Sequence, residues 1–230
     1  KNEKLYPEFA ERRGDMYEET VRFFEDLFRN DRSILDVLDA NHTFLNESLA
    51  EFYGIDGVKG DQWRRVDGVR DQGRGGILAM ATFLASQSGA SRTSPILRGN
   101  WIYEVLLGER LPRPPADVPD LPENVPDGLT ARQLIEHHTS VAACAKCHVR
   151  IDPFGFALEG YDAIGRIRSS KTNVKTALES GEKIEGFSGL RGYLSERRRD
   201  DFVARADAEC PQADNERVGA GVAADGVRGT

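Results

Sequence analysis

Between Met16 and Arg29 apolar residues recur at helical spacing among charges, and Val21, Phe24, Leu27 and Phe28 mark the expected inward stripe of an amphipathic helix. Asp31 or Ser33 is placed to cap a second helix that turns Ile34, Leu35, Val37 and Leu38 inward. A third, short helix is expected from Phe44 to Phe52, with Asn46 and Glu47 exposed and Gly54 ending it. Residues 54 to 74 hold Gly54, Gly57, Gly60, Gly68 and Gly73 among charges, which reads as a loop region. Helical periodicity returns over Gly76–Ser86 and Leu97–Leu107.

Six of the ten prolines fall between Pro112 and Pro126, and a residue with fixed φ and no amide donor continues neither a helix nor a central strand. This stretch reads as an extended strap, serving as a linker or covering a crevice. Thr130 with Gln133 has the spacing of a capping box, opening a helix from Ala131 to His138. Ile151-Asp152-Pro153-Phe154-Gly155-Phe156 contains Pro and Gly and is expected to turn the chain back on the segment before it. Val174 to Phe187 alternates loosely around Ser180-Gly181, a hairpin signal, and Gly189 to Ala204 reads as a last helix. Beyond Cys210 no period survives, and a flexible tail is expected. The fold class that results is mainly α and irregular, with a proline-rich strap and little β structure.

Composition narrows the function classes. At 230 residues the chain is long enough to bury a core as one large or two small domains. A formal charge of -7 argues against general nucleic-acid binding, which needs a concentrated basic surface. The short basic clusters Arg64-Arg65 and Arg197-Arg198-Arg199 have acidic neighbours and read as solvated surface. No apolar run reaches the roughly 18 to 20 residues that span a bilayer. The chain opens without a leader-like pattern or Met, so Lys1 is expected to begin a processed protein or a piece of a longer one.

The densest chemistry lies at Cys144-Ala145-Lys146-Cys147-His148. Two thiols three positions apart followed at once by an imidazole match the c-type haem attachment pattern. On one helical turn Cys144 and Cys147 can reach the two vinyl groups at a porphyrin edge, while His148 turns toward the iron as an axial ligand. Two rival readings stand beside this one. A structural zinc site closes four ligands, commonly as two short-spaced pairs, and the chain offers only a distant Cys210 with His42, His137 and His138 to complete one. A thioredoxin-like redox pair calls for a βαβ context, whereas the flanks here read as helix and loop.

Several phrases around the motif give a wider likeness. They are Phe44-Leu45-Asn46-Glu47 with Phe52-Tyr53-Gly54-Ile55, Arg74-Gly75-Gly76-Ile77-Leu78, and Arg92-Thr93-Ser94-Pro95 with Arg98-Gly99-Asn100-Trp101. The proline strap follows, then His138, then the run from Ile151 to Glu159 with Asp162 and Gly165. In these phrases the chain resembles the C-terminal region of planctomycete-type cytochrome c proteins, in which domains of unknown function surround a haem-binding pentapeptide. The resemblance covers roughly residues 40 to 168 and weakens toward Ala204; beyond that this chain is polar and Gly-rich where the family continues into an apolar helix. It implies a cytochrome c-like helical domain carrying one haem c and working in electron transfer. Residues 1–60 are then a helical N-terminal segment, 61–170 the haem-binding domain with strap 111–127, 171–205 a small hairpin and helix, and 206–230 the tail.

After His148 the sequence has no His and no Met, so any protein-derived sixth ligand comes from upstream. His138 is one candidate, with capping of its helix or a bond to a haem propionate as its other reading; the resembling family also carries a His here. Met80 is the alternative, with core filling as its other reading. Met16 and His42 are outside candidates. Arg92, Arg98 and Arg150 are candidate propionate partners because a guanidinium binds a carboxylate bidentately, and Trp101 is a candidate porphyrin contact, each with a structural role as its other reading and that role favoured for Arg98 and Trp101. The leading expectation is a mono-haem module that exchanges single electrons with a redox partner protein or other domains of a larger complex. Because thioether attachment occurs outside the cytoplasmic membrane, the periplasm or cell surface is the expected location. An open distal site with peroxidase-like chemistry, or a zinc or structural scaffold, are the alternatives.

Overall fold

A computed structural model describes residues 1–112, 121–122, 124–126, 128–139, 142–169 and 172–209. The architecture is mainly α, with two small antiparallel two-stranded sheets among the described residues. Helix α1 spans Phe9–Arg29 and α2 Asp36–Asp39; strand β1 (His42–Leu45) leads into α3 (Glu47–Tyr53) and pairs with β2 (Arg64–Asp67). Then come α4 (Ala81–Ser86), α5 (Pro95–Trp101, continued by a wider π turn over Ile102–Leu106), α6 (Ala131–His138) and α7 (Ala142–Ala157). A hairpin of β3 (Lys175–Ala177) and β4 (Lys183–Glu185) precedes α8 (Gly186–Gly192) and α9 (Arg199–Glu209).

Local signals held where one side chain or glycine decides the backbone. Thr130 caps α6 with the reciprocal Gln133 bonds of a capping box. Gly54 ends α3 in the left-handed region, and Gly181 turns the β3–β4 hairpin. Several other expectations are corrected. α1 begins at Phe9 and buries Met16, Glu19, Phe23 and Leu27; Phe28, expected inside, is 68 % exposed. The stretch from Phe44 to Phe52 starts as a strand, and Asn46 is buried as the N-cap of α3, receiving the Leu49 N–H. Ser33 receives the Leu35 N–H in the turn before α2, and neither Asp31 nor Ser33 caps that helix. The glycine-rich loop contains β2, whose register sets Phe44 against Arg65.

The stretch from Gly76 to Ser86 is broken: a 3-10 turn over Ile77–Ala79 ends at Met80, which is extended, before α4 begins. The proline strap lies largely outside the described residues, as do Cys210 and the tail after it, while 206–209, assigned to the tail, are the last turn of α9. The most consequential correction is at residues 151–156, which do not turn back. They continue α7 through an internal Pro153. Proline here forfeits the bond to the carbonyl of Val149, a residue at the surface. Packing offsets that loss. A Cβ at Gly99 would lie 2.0 Å from the Ile151 carbonyl oxygen, and one at Gly155 would lie 2.0 Å from that of Pro95. α5 and α7 therefore cross with their backbones in contact, which only glycine allows at both positions.

One buried cluster runs from Phe23 and Leu27 of α1 through Phe83, Ile102, Phe154 and Leu158 to Leu190, Leu194 and Phe202. It encloses the C-terminal half of α7 and leaves the N-terminal half, with the cysteines, nearer the surface. A second cluster joins Met16 to Leu45, Leu49, Tyr53 and Val69.

Candidate functional site

α7 sets the site residues by its own periodicity. At about 100° per residue, Cys144, Cys147, Ile151 and Gly155 follow one stripe, while His148 and Asp152 follow the next. Ile151 and Gly155 are the residues that touch α5, so the thiols lie on the continuation of the stripe facing that helix. Both are unpaired and half-buried. One turn beyond His148, Asp152 lies with its Oδ1 2.9 Å from the imidazole Nδ1. An ionised carboxylate only accepts, so Nδ1 carries the hydrogen and Nε2 is left with a lone pair for a ligand. Burial pushes the Asp152 carboxyl above the usual range, and the hydrogen bond from His148 pulls it part of the way back. A metal-ligating histidine commonly gives its second N–H to a carboxylate in this way.

The C-terminus of α6 brings His138 to the same place. Its ring centre is 5.6 Å from that of His148, with the planes at 74°. The two rings meet edge to face, which sets a second imidazole, a residue type that can ligate iron, beside the first. His137 is exposed one residue earlier. Beside His148 a groove of about 300 Å³ is lined by Ala145, Asp152, Pro153, Phe156, Thr139 and Arg132, with Thr176 and Ala177 of β3. Arg132 lies with its guanidinium 4.4 Å from the Phe156 ring centre, and its Nη1 donates to the Lys175 carbonyl at 2.8 Å, tying α6 to the hairpin.

The other sequence candidates are not gathered here. Met80 is 2 % exposed in the main core, where the Thr20 hydroxyl approaches its sulfur at 3.7 Å, and it is absent from the groove beside His148. Met16 is buried in the second cluster, and His42 stacks on Phe23 with Asp26 at 3.5 Å. Burial is the leading cause holding His42 below its usual value. Arg98 is fully buried and binds protein carbonyls instead of offering itself to a propionate. Its Nη1 donates to Leu158 and Tyr161 and its Nη2 to Leu84 and Asp162. Trp101 packs on Phe83 at 4.7 Å between ring centres. Arg150 points to the hairpin turn, 3.5 Å from Glu179. Arg92 is held by the carbonyls of Pro122 and Thr93, in a separate cavity.

Asp152, Phe156 and Arg132 line the groove beside His148 and are not among the candidates expected from the sequence. Asp152 stands four residues after His148, a spacing that signals one helix face; expecting a turn at 151–156 hid it. Among the described residues no three or more His, Cys, Asp and Glu side chains cluster to hold a metal ion.

A mainly helical protein with a Cys-x-x-Cys-His helix and a carboxylate-supported imidazole is the class defined by fold and site. Residues 74–171 match the family described as PSCyt3, a protein of unknown function (DUF1588), and residues 1–55 match PSD4, a protein of unknown function (DUF1592). Both are domains found in planctomycete-type cytochrome c proteins. No curated protein and no solved structure matches the chain. No helix among the described residues is long and apolar enough to cross a membrane.

Proposed function

We propose that this chain carries one haem c, attached through Cys144 and Cys147 and ligated by His148 and His138, and that it passes single electrons to a redox partner outside the cytoplasmic membrane. The observation that carries this reading is the placement of the motif on α7: unpaired thiols on one stripe, and on the next an imidazole held by Asp152 with a second imidazole beside it. Both matched families support the same class. The donor set suits the group: soft thiols for covalent attachment and neutral imidazoles for iron.

When bound, haem supplies a one-electron couple. The chain's own residues tether, orient and tune. Asp152 fixes the His148 tautomer and keeps the ring aimed, and its negative charge strengthens the imidazole as a donor. α6 holds His138 through the Thr130 cap and through Arg132, which bonds both Glu136 and the hairpin. The Arg150–Glu179 contact at 3.5 Å tethers α7 to that same hairpin. Electron exchange asks for little motion, and an α7 locked by the Gly99–Gly155 crossing meets that demand.

Expression in a host competent in c-type haem attachment tests the reading. The expected product is a red, low-spin protein whose haem stays with the chain after denaturation. A colourless product refutes the haem assignment, and zinc in its place supports the scaffold alternative. Changing His138 to Ala is expected to convert the spectrum toward high spin and to admit external ligands. An unchanged low-spin spectrum would remove His138 from the iron, whereas a high-spin parent protein that turns over peroxide would favour the open-site alternative.

A further inference from the structure

A second chemical feature lies around the N-terminus of α6, away from the His148 groove except for Arg132, which lines both. A cavity of about 580 Å³ is bounded by Arg92, Arg132, Arg168, Glu159, Tyr6 and Asn173, with the hydroxyls of Ser91, Thr93 and Thr130. Each guanidinium is anchored by backbone carbonyls, and Arg132 is also paired through Nε with Glu136 at 2.8 Å. Arg92 donates through Nε to the Pro122 carbonyl at 2.9 Å, Arg168 through Nε to the Glu159 carbonyl at 3.0 Å, and Arg132 through Nη1 to the carbonyls of Asn173 and Lys175. Three cations are thus fixed around one space.

The acid there is already matched. Glu159 is 4 % exposed, its Oε2 receives the Thr93 hydroxyl at 3.0 Å, and its charge is offset by buried Arg98 at 3.8 Å. Its Oε1 is buried and receives no hydrogen bond. A ligand hydroxyl would supply the hydrogen bond that this buried acceptor lacks. Guanidiniums in excess call for an anion, and planar forks suit a carboxylate.

We propose that this cavity is a binding site for a small hydroxycarboxylate, its carboxylate taken by Arg92, Arg132 and Arg168 and its hydroxyl donated to Glu159 Oε1. The site stands independently of the haem reading. A tethered haem's own propionates are the other source of carboxylate, but ionised propionates bring no donor for Glu159.

Calorimetric titration of the haem-loaded chain with L-malate and with succinate, which lacks only the hydroxyl, tests the proposal. Malate is expected to bind at least tenfold tighter, an advantage of about 1.4 kcal/mol. Glu159→Gln should collapse that preference toward parity, and Arg92→Gln or Arg168→Gln should each weaken both acids about tenfold. Thermal melting of each variant confirms folding; if Arg168→Gln does not fold, Arg92→Gln carries the test. No binding of either acid, or equal binding of both, overturns the proposal. A parallel titration of C144S/C147S, which cannot tether haem, separates the sources. Malate binding to that variant and not to the haem-loaded chain would assign the cavity to propionates and overturn a free ligand.

Discussion

Glu19 allows a sharp test of the interior. It is 1 % exposed, and its carboxylate receives the hydroxyls of Thr43 and Tyr53, both at 2.5 Å. The Tyr53 hydroxyl in turn receives the Ala81 N–H at 2.8 Å, and the Arg74 guanidinium lies 3.8 Å from the Tyr53 ring centre. Burial outweighs the two hydroxyls and Arg74, pushing the carboxyl from its ordinary 4.5 to about 7. Because the folded value is the higher, its contribution to stability is full below pH 4.5 and is lost as pH rises toward 7. Between those limits the folded state holds a proton that the unfolded chain has released. At 1.36 kcal/mol per pH unit the loss is about 3 kcal/mol, an upper bound for one group. Glu19→Gln keeps the shape and removes the titration. Urea unfolding followed by circular dichroism at pH 4.5 to 8 should show the variant gaining about 3 kcal/mol on the parent across that window. The difference should level off about one pH unit above the folded value of about 7. Titrations common to both, such as that of His42, cancel. Parallel stability curves would refute the account of Glu19 as a buried, proton-holding carboxyl.

Two further outcomes follow from the packing of α5 on α7. Gly155→Ala places a methyl 2.0 Å from the Pro95 carbonyl oxygen, where only backbone can yield. Overpacking of this kind costs about 3 kcal/mol, read as a lower urea midpoint at constant m-value, and an unchanged midpoint would show that the helices are not in backbone contact. Arg98→Met strips hydrogen bonds from the carbonyls of Leu84, Leu158, Tyr161 and Asp162 and leaves Glu159 without its buried cation. A loss of about 3 to 5 kcal/mol in thermal or urea unfolding is expected and, where the proposed haem is bound, its spectrum in the folded fraction should be unchanged. A spectral change with little loss of stability would return Arg98 to the cofactor.

The elements legible in the sequence are those fixed by neighbours along the chain. Thr130 and Gln133 satisfy each other's backbone within one turn, and Gly54 and Gly181 adopt conformations other residues resist, so each signal is complete in a few residues. The inward face of α1 was not complete in that sense. Met16, Phe23 and Leu27 form one apolar stripe, and Val21, Phe24 and Phe28 form a second beside it, each at helical spacing. Periodicity cannot choose between them. What decides is the partner surface: Phe23 meets His42, Glu19 meets Thr43 and Tyr53, and the second stripe is left at the rim, with Val21 and Phe24 half-buried and Phe28 exposed.

The same distinction separates the parts of the candidate site. The pentapeptide is local and could be read directly, and His148 and Asp152 would have been linked by spacing alone had α7 been continued past Pro153. That continuation depends on Gly99, more than fifty residues away in sequence, whose missing side chain lets α5 lie against the Ile151 carbonyl. Arginine type was no guide either. Arg92, Arg98 and Arg150 all suggested an anion, yet Arg98 was spent on carbonyls and Arg150 on a glutamate, while Arg132 and Arg168 gave the cavity most of its charge. A residue's chemistry could be read from the chain, but what it faces was set by backbone approach between distant segments. The positions that permit such approach are the glycines, and Gly99 and Gly155 govern the orientation of the motif helix as directly as any residue within the motif.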